Sequence, residues 1–234
     1  MAARLAAVAH VFVAELGDLG GIDLTDDDRH HLERVLRLRV GELVTASDGA
    51  GAWRQCRWAG AGLEPDGEVE HEARADPAIT VAFAVPKGDR PEWIVQKLTE
   101  VGVNHIQPLM TARSVVRWDG DRATKQVARL RRVAREAAMQ SRQVWLPVVE
   151  AVAPLPVALA AMGDLAALAH PGGDPPSLDR PTVMIGPEGG WTAGELDGRP
   201  LVGLGPTVLR AETAAVSVGI LLAGLRAGIV LQSR

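Results

Sequence analysis

The chain has 234 residues, 47% hydrophobic and 23% charged, with a net charge of −4 and one cysteine. That length supplies one large or two modest domains, and the composition excludes a disordered or fibrous chain. A single cysteine excludes an internal disulfide and a multi-cysteine metal site, and it points to a reducing, cytoplasmic setting.

The N-terminal run from Met1 is broken by His10 and followed by acidic residues, so His10 to Val13 reads as a first strand rather than a signal peptide. Thr25 to Arg39 reads as a helix with a capping box, Thr25 as N-cap and Asp28 at N3. Its apolar stripe is Leu32, Val35, Leu36 and Leu38, and its other face gathers His30, Arg34, Arg37 and Arg39. Strands follow at Glu42 to Ser47 and Ala52 to Trp58 around an Asp48-Gly49 turn, then at Gly67 to Ala73. Cys56 lies within that alternating pattern, where packing outweighs a nucleophilic role. These elements make a small β-rich domain over residues 1–75, with Asp76-Pro77 at the boundary.

From residue 76 onward the rhythm becomes strand, helix, strand. Ile79 to Val85 is continuously apolar, as a strand buried on both faces must be. A helix runs from about Pro91 to Val101 with Gly102 as its stop, and His105 to Leu109 is a strand. A long helix spans Asp121 to Ser141, with Val127, Leu130, Val133, Ala134 and Ala137 inward. Further strands fall near Leu165 to Ala169, Thr182 to Ile185 and Leu201 to Leu204. The apolar run Ala214 to Leu225, ended by Arg226, is too short to cross a bilayer and reads as a buried helix. This alternation defines an α/β domain with a parallel sheet over 76–234.

Ligands of open parallel sheets bind beyond the carboxyl ends of the strands. Three glycine-bearing segments lie there: Leu168 to Gly173, Ile185 to Gly190, and Gly203 to Thr213. For Gly172-Gly173 a plain tight turn is the preferred reading. Neither a G-x-G-x-x-G fingerprint nor a Walker A loop is present, which argues against dinucleotide or NTP chemistry.

Ile185-Gly186-Pro187-Glu188-Gly189-Gly190 together with Leu209-Arg210-Ala211-Glu212-Thr213 resembles the cofactor end of the trefoil-knotted SPOUT methyltransferases, and more narrowly the RsmE family. The likeness continues through Ile94 to Val103, Arg113-Ser114-Val115, Glu136 to Ser141, and His30-His31-Leu32 with Val35-Leu36-Arg37. It implies a PUA-like RNA-binding domain before a knotted methyltransferase domain that forms a homodimer. The Ala214 to Val230 helix and the helix from Pro91 are the candidate interface. It also implies S-adenosylmethionine as cofactor and N3 of a uridine in 16S rRNA of the 30S subunit as target. The implied cofactor residues are Leu168, His170, Pro171, Ile185, Gly186, Pro187, Glu188, Gly190, Leu204, Gly205, Val208, Leu209, Arg210, Glu212 and Thr213. No metal and no membrane are expected. One departure from the family's pattern is Gln143, preceded by Arg142, where an arginine usually follows the serine by two residues.

Methylating uridine N3 requires removal of its proton and stabilisation of charge on the flanking carbonyls. Arg210 is the candidate cation, and Glu188, Glu212 or a water the candidate proton acceptor; either acid could instead cap the following helix, and for Glu212 the two readings weigh equally. Net charge opposes RNA binding, but distribution does not. Nine basic residues lie between Arg113 and Arg142, and four arginines with two histidines between Arg29 and Arg39. The expected RNA contacts are Arg29, Arg34, Arg37, Arg113, Arg135 and Arg142. Trp53, Trp58 and Trp118 are expected to pack rather than stack on bases. The alternatives are a SPOUT enzyme for another rRNA or tRNA position, a non-catalytic RNA-binding assembly factor, and a nucleotide-binding metabolic enzyme.

Overall fold

A computed structural model describes residue 4, residues 6–17 and residues 21–231, and their contacts gather into two compact units. Most of the Met1 to Arg4 start and Asp18 lie outside the described residues. One unit takes residues up to 74 together with 135–146; the other takes 75–134 and 147–234.

In the first unit, β1 (Ala9–Phe12) pairs in parallel with β2 (Leu43–Ser47), which pairs antiparallel with β3 (Ala52–Trp58). β4 (Leu63–Pro65) and β5 (Glu70–His71) both join β3. The expected Gly67 to Ala73 strand is therefore a two-residue pairing. The acidic, exposed residues around it have no apolar face to bury. Val11, Leu32, Val44, Cys56, Trp58 and Leu63 form the core, so Cys56 packs as expected. Burial pushes its thiol up to about 11, which leaves it an unreactive thiol at neutral pH.

α1 (Asp26–His30) is capped by the Thr25 hydroxyl, which accepts from the Asp28 N–H at 3.1 Å. The helix then widens into a π turn, His31–Val35, and ends; a continuous helix to Arg39 does not form. Leu32 is buried, but Val35 and Leu36 are exposed, so the expected stripe reduces to Leu32 with partly buried Leu38. The Asp28 carboxylate does not close a capping box. It accepts two bonds from the Arg135 guanidinium, at 2.7 and 3.0 Å.

His10 is 3% exposed, with Nδ1 2.8 Å from the Thr45 hydroxyl. Burial, aided by the positive charges of Arg4, Arg142 and Arg135, lowers its pKa to about 4. The folded unit therefore holds His10 neutral where the unfolded chain protonates it. Its contribution is complete above about pH 6.5 and is lost as pH falls toward 4, by on the order of 3 kcal/mol. Between pH 7 and 4, wild-type thermal stability should fall more steeply than that of His10→Gln. Parallel curves would refute the assignment.

The second unit is built on a seven-stranded, all-parallel sheet. β6 (Thr80–Ala84), β7 (His105–Met110), β8 (Val148–Val149), β9 (Ala153–Pro154), β10 (Ala166–Asp174), β11 (Thr182–Ile185) and β12 (Leu201–Val202) lie in the order β12-β10-β11-β6-β7-β8, with β9 also on β7. Alternation along β6 divides the core. Val81 and Phe83 face α2 (Arg90–Glu100), α3 (Gly120–Gln140) and α6 (Ala211–Arg226) through Ile94, Leu98, Leu130, Ala215 and Val218. Ala82 faces the other way, toward Leu155, Ala158 and Leu159 of α4 (Leu155–Met162). Burial on both faces is the physical reason this strand reads as an unbroken apolar run. α6 stops at Arg226, whose guanidinium bonds Gly102 O at 2.7 Å and Asn104 Oδ1 at 2.5 Å; helix does not reach Val230.

Candidate functional site

The segments that follow β12 and β11 meet the middle of β10, which lies between those two strands, at a cavity of about 290 Å³, near the lower end for small-molecule sites. Its walls are Ala169 to Pro171, Ile185 to Glu188, Gly190 and Trp191, Leu204 and Gly205, Thr207 to Leu209, and Ala211 with Ala214. Most of the expected cofactor residues therefore converge. Leu168 does not line the cavity. It is fully buried among Ala82, Leu109 and Met184, because one strand step separates the core face from the rim. Arg210, Glu212 and Thr213 are not among the lining residues either.

The 170–173 segment is not a loop with a tight turn. β10 runs on through it to Asp174, with a register break between Ala169 and Asp174 where it pairs with β12. Gly173 and Gly203 approach backbone to backbone. A Cβ on Gly203 would stand 2.5 Å from Gly173 O, and one on Gly173 would stand 2.6 Å from Val202 N. Close approach, not turning, is why glycine occupies Gly173.

Sequence reasoning missed Trp191. Its indole N–H donates to Ala169 O at 3.0 Å, and a Cβ on Gly186 would press on its ring at 3.0 Å. The ring thus ties the segment after β11 to β10. Its position directly after Gly189-Gly190 was the available signal. Arg113 braces the same segment, donating to Gly189 O at 2.8 Å and Trp191 O at 3.2 Å. Glu195, in the capping box of α5 (Ala193–Leu196), accepts from the Ala112 N–H at 3.0 Å and the Thr192 N–H at 2.8 Å. Partial burial raises its pKa, but these donors outweigh that and leave its carboxyl below the ordinary value.

Arg90, at the start of α2, was not anticipated. Its guanidinium reaches Glu188 Oε1 at 2.8 Å and Glu212 Oε1 at 3.8 Å, joining the loop after β11 to the first turn of α6. Glu212 sits in that first turn, yet Arg210 is the N-cap residue and no side-chain cap bond forms. Glu212 Oε2 is buried without a hydrogen-bond partner. Arg210 itself is extended and exposed, between Leu209 and Ala211 of the cavity wall; its carbonyl accepts from the Ala214 N–H at 2.8 Å, but its side chain has no bonded partner among the described residues.

Of the expected RNA contacts, three spend donors on the protein. Arg113 holds the loop, Arg135 holds Asp28 and Phe12 O, and Arg142 donates to Arg4 O at 2.5 Å. Arg142 adopts φ 57°, the left-handed turn that ends α3, while Gln143 Nε2 donates to Ser141 Oγ at 3.1 Å. Arg29, Arg34 and Arg37 lie on α1, its π turn and the loop beyond, with Arg34 and Arg37 exposed. Trp53, Trp58 and Trp118 are all buried, as packing residues.

This parallel sheet with its terminal loop cavity defines a SPOUT-type RNA methyltransferase domain in a chain that also carries a PUA-like one: residues 74–223 match the RNA methyltransferase domain family and residues 24–62 the RNA methyltransferase PUA domain family. A relative from Mycobacterium bovis, ribosomal RNA small subunit methyltransferase E, is 32% identical with 90% of each chain covered. The Bacillus subtilis protein of the same name is 30% identical over 82% of this chain and 85% of its own. The crystal structure of the Neisseria gonorrhoeae protein of that name, bound to S-adenosyl methionine, superposes with a TM-score of 0.77 at 29% identity, covering 94% of this chain and 97% of that one. The chain belongs to the ribosomal RNA small subunit methyltransferase E family.

Proposed function

We propose that this protein transfers a methyl group from S-adenosylmethionine to N3 of a uridine in 16S rRNA of the small ribosomal subunit. The carrying observation is the convergence of β10 and the segments after β11 and β12 on one cavity whose walls are largely backbone and apolar side chains, with the Arg210 side chain unpaired between two wall residues. Such walls suit an adenosine and an aliphatic chain, and Glu188 is the one carboxylate among the described residues that line them, complementary to a sulfonium. His170, Pro171, Ile185 to Glu188, Gly190, Leu204, Gly205, Val208 and Leu209 would hold the cofactor, which supplies an electrophilic methyl group.

Arg210 would stabilise negative charge on a uracil carbonyl as N3 gives up its proton. Glu188 is engaged by Arg90, and Glu212 lies under the same guanidinium, so both are anchored acids. That arrangement favours water as the proton acceptor. We also assign the protein to the cytoplasm and to a homodimer. Trp93 on α2 and Ile220 on α6, 43% and 50% exposed, offer apolar surface for a second copy.

Arg90→Ala tests the cavity's assembly. Half-exposed ion pairs contribute about 1 kcal/mol or less. S-adenosylmethionine affinity should therefore fall by up to about five-fold by calorimetry while the melting temperature moves little. Full affinity in Arg90→Ala would refute the clamp, and absence of binding by wild type at millimolar cofactor would overturn the enzyme reading in favour of a non-catalytic assembly factor.

A further inference from the structure

The exposed side of α3 carries a basic stripe that sequence reasoning dispersed over the whole Arg113 to Arg142 run. Arg122, Lys125, Arg129 and Arg132 follow one another at steps of three, four and three residues. At 100° per residue these fall within about 80° of arc and span about 15 Å along the helix. The opposite side is fixed in the core by Val127, Leu130 and Ala134. The stripe therefore cannot rotate inward. All four residues are exposed; Arg129 pairs with Glu92 at 2.9 Å, and no described residue pairs with Arg122, Lys125 or Arg132. In a chain of net charge −4 this is a concentrated positive surface. It is bounded by Asp121 at one end and by Glu136, further along the same face, at the other.

In chain order the stripe follows a segment that contacts the cavity within the same unit. Upstream of α3, exposed Arg117 follows Arg113, whose side chain holds Gly189 O and Trp191 O of the cavity segment. We infer that this face of α3 is the phosphate track of the enzyme domain, binding the sugar-phosphate backbone of the RNA that delivers its uridine to the cavity. This rests on the RNA-substrate reading above. A strand carries one charge per roughly 3.4 Å of helix axis, so 15 Å faces about four phosphates. Such contacts are sequence-independent and position the substrate without touching the base.

The test is Arg122→Ala/Lys125→Ala/Arg132→Ala, which leaves the Arg129–Glu92 pair in place, against Arg180→Ala/Arg199→Ala from exposed positions elsewhere in the unit. Binding to in-vitro-transcribed 16S rRNA is measured from low to moderate salt, alongside methylation with tritiated S-adenosylmethionine. Each lost phosphate contact removes about 0.7–0.9 from the log–log salt slope, so the triple variant should lose about two to three. Its KM for RNA should rise about ten-fold or more, with cofactor affinity, kcat and melting temperature near wild type. An unchanged slope and KM in the triple variant, or an equal loss in the double variant, overturns the stripe while wild-type methylation leaves the enzyme reading intact. Wild type that neither binds nor methylates the transcript and small subunits overturns the enzyme reading itself.

Discussion

Arg210→Ala should lower kcat by about 10²- to 10³-fold while S-adenosylmethionine still binds with wild-type affinity. The size follows from removing one preorganised charge donor aimed at a developing oxyanion in a partly enclosed site. The selectivity follows from the geometry. Leu209 and Ala211 line the cavity, whereas the Arg210 guanidinium has no acceptor among the described residues and its side chain makes no cap bond to α6. Truncation therefore leaves no buried partner unsatisfied, and the fold should be indifferent to it. Arg210→Lys should recover part of the rate, because a point charge replaces the delocalised, forked guanidinium. Single-turnover kinetics at saturating cofactor measure this directly. A variant with the wild-type rate would remove Arg210 from the chemistry.

Gly203→Ala should destabilise the protein by about 2–3 kcal/mol through overpacking against backbone. The added methyl meets the Gly173 carbonyl oxygen at 2.5 Å and its carbon at 3.2 Å, and neither atom belongs to a movable side chain. For a chain of this size that corresponds to a melting temperature lower by roughly 5–10 °C. Because residues 169–171 of β10 and Leu204 and Gly205 after β12 line the cavity, cofactor affinity should fall with it. A thermal midpoint within 1 °C of wild type would show that the two strands separate without cost. Gly194→Ala, with open space at its Cβ, is the matched comparison and should be nearly silent.

The readable parts of this chain were those whose physics is local. Ile79 to Val85 declared a doubly buried strand because every step of β6 meets apolar neighbours, and Thr25 declared a helix start because its hydroxyl serves an amide three residues on. The cavity walls were readable for a related reason: glycine and proline mark strand-end loops wherever they occur. What escaped depends on partners distant in sequence. Arg90 and Glu188 are 98 residues apart, and Arg135 finds Asp28 across 107. Residues 135–146 group with the N-terminal unit through Ser47 Oγ to Val144 O and the Trp145 indole to Glu72 O. No local pattern announces such pairings. Arginine clustering was visible, but which guanidinium groups are spent on protein carbonyls was not. That distinction moves Arg113, Arg135 and Arg142 toward internal bracing and leaves the α3 stripe facing solvent. Gly173 was misread because a strand break and a turn use the same residue.

The most direct test of the central claim is a nucleoside map of 16S rRNA from a strain lacking this protein, before and after its return. N3-methyluridine should vanish from a single position in the deletion strain, reappear with the wild-type protein, and stay absent with Arg210→Ala. Persistence of that methyl group in the deletion strain would contradict the assignment.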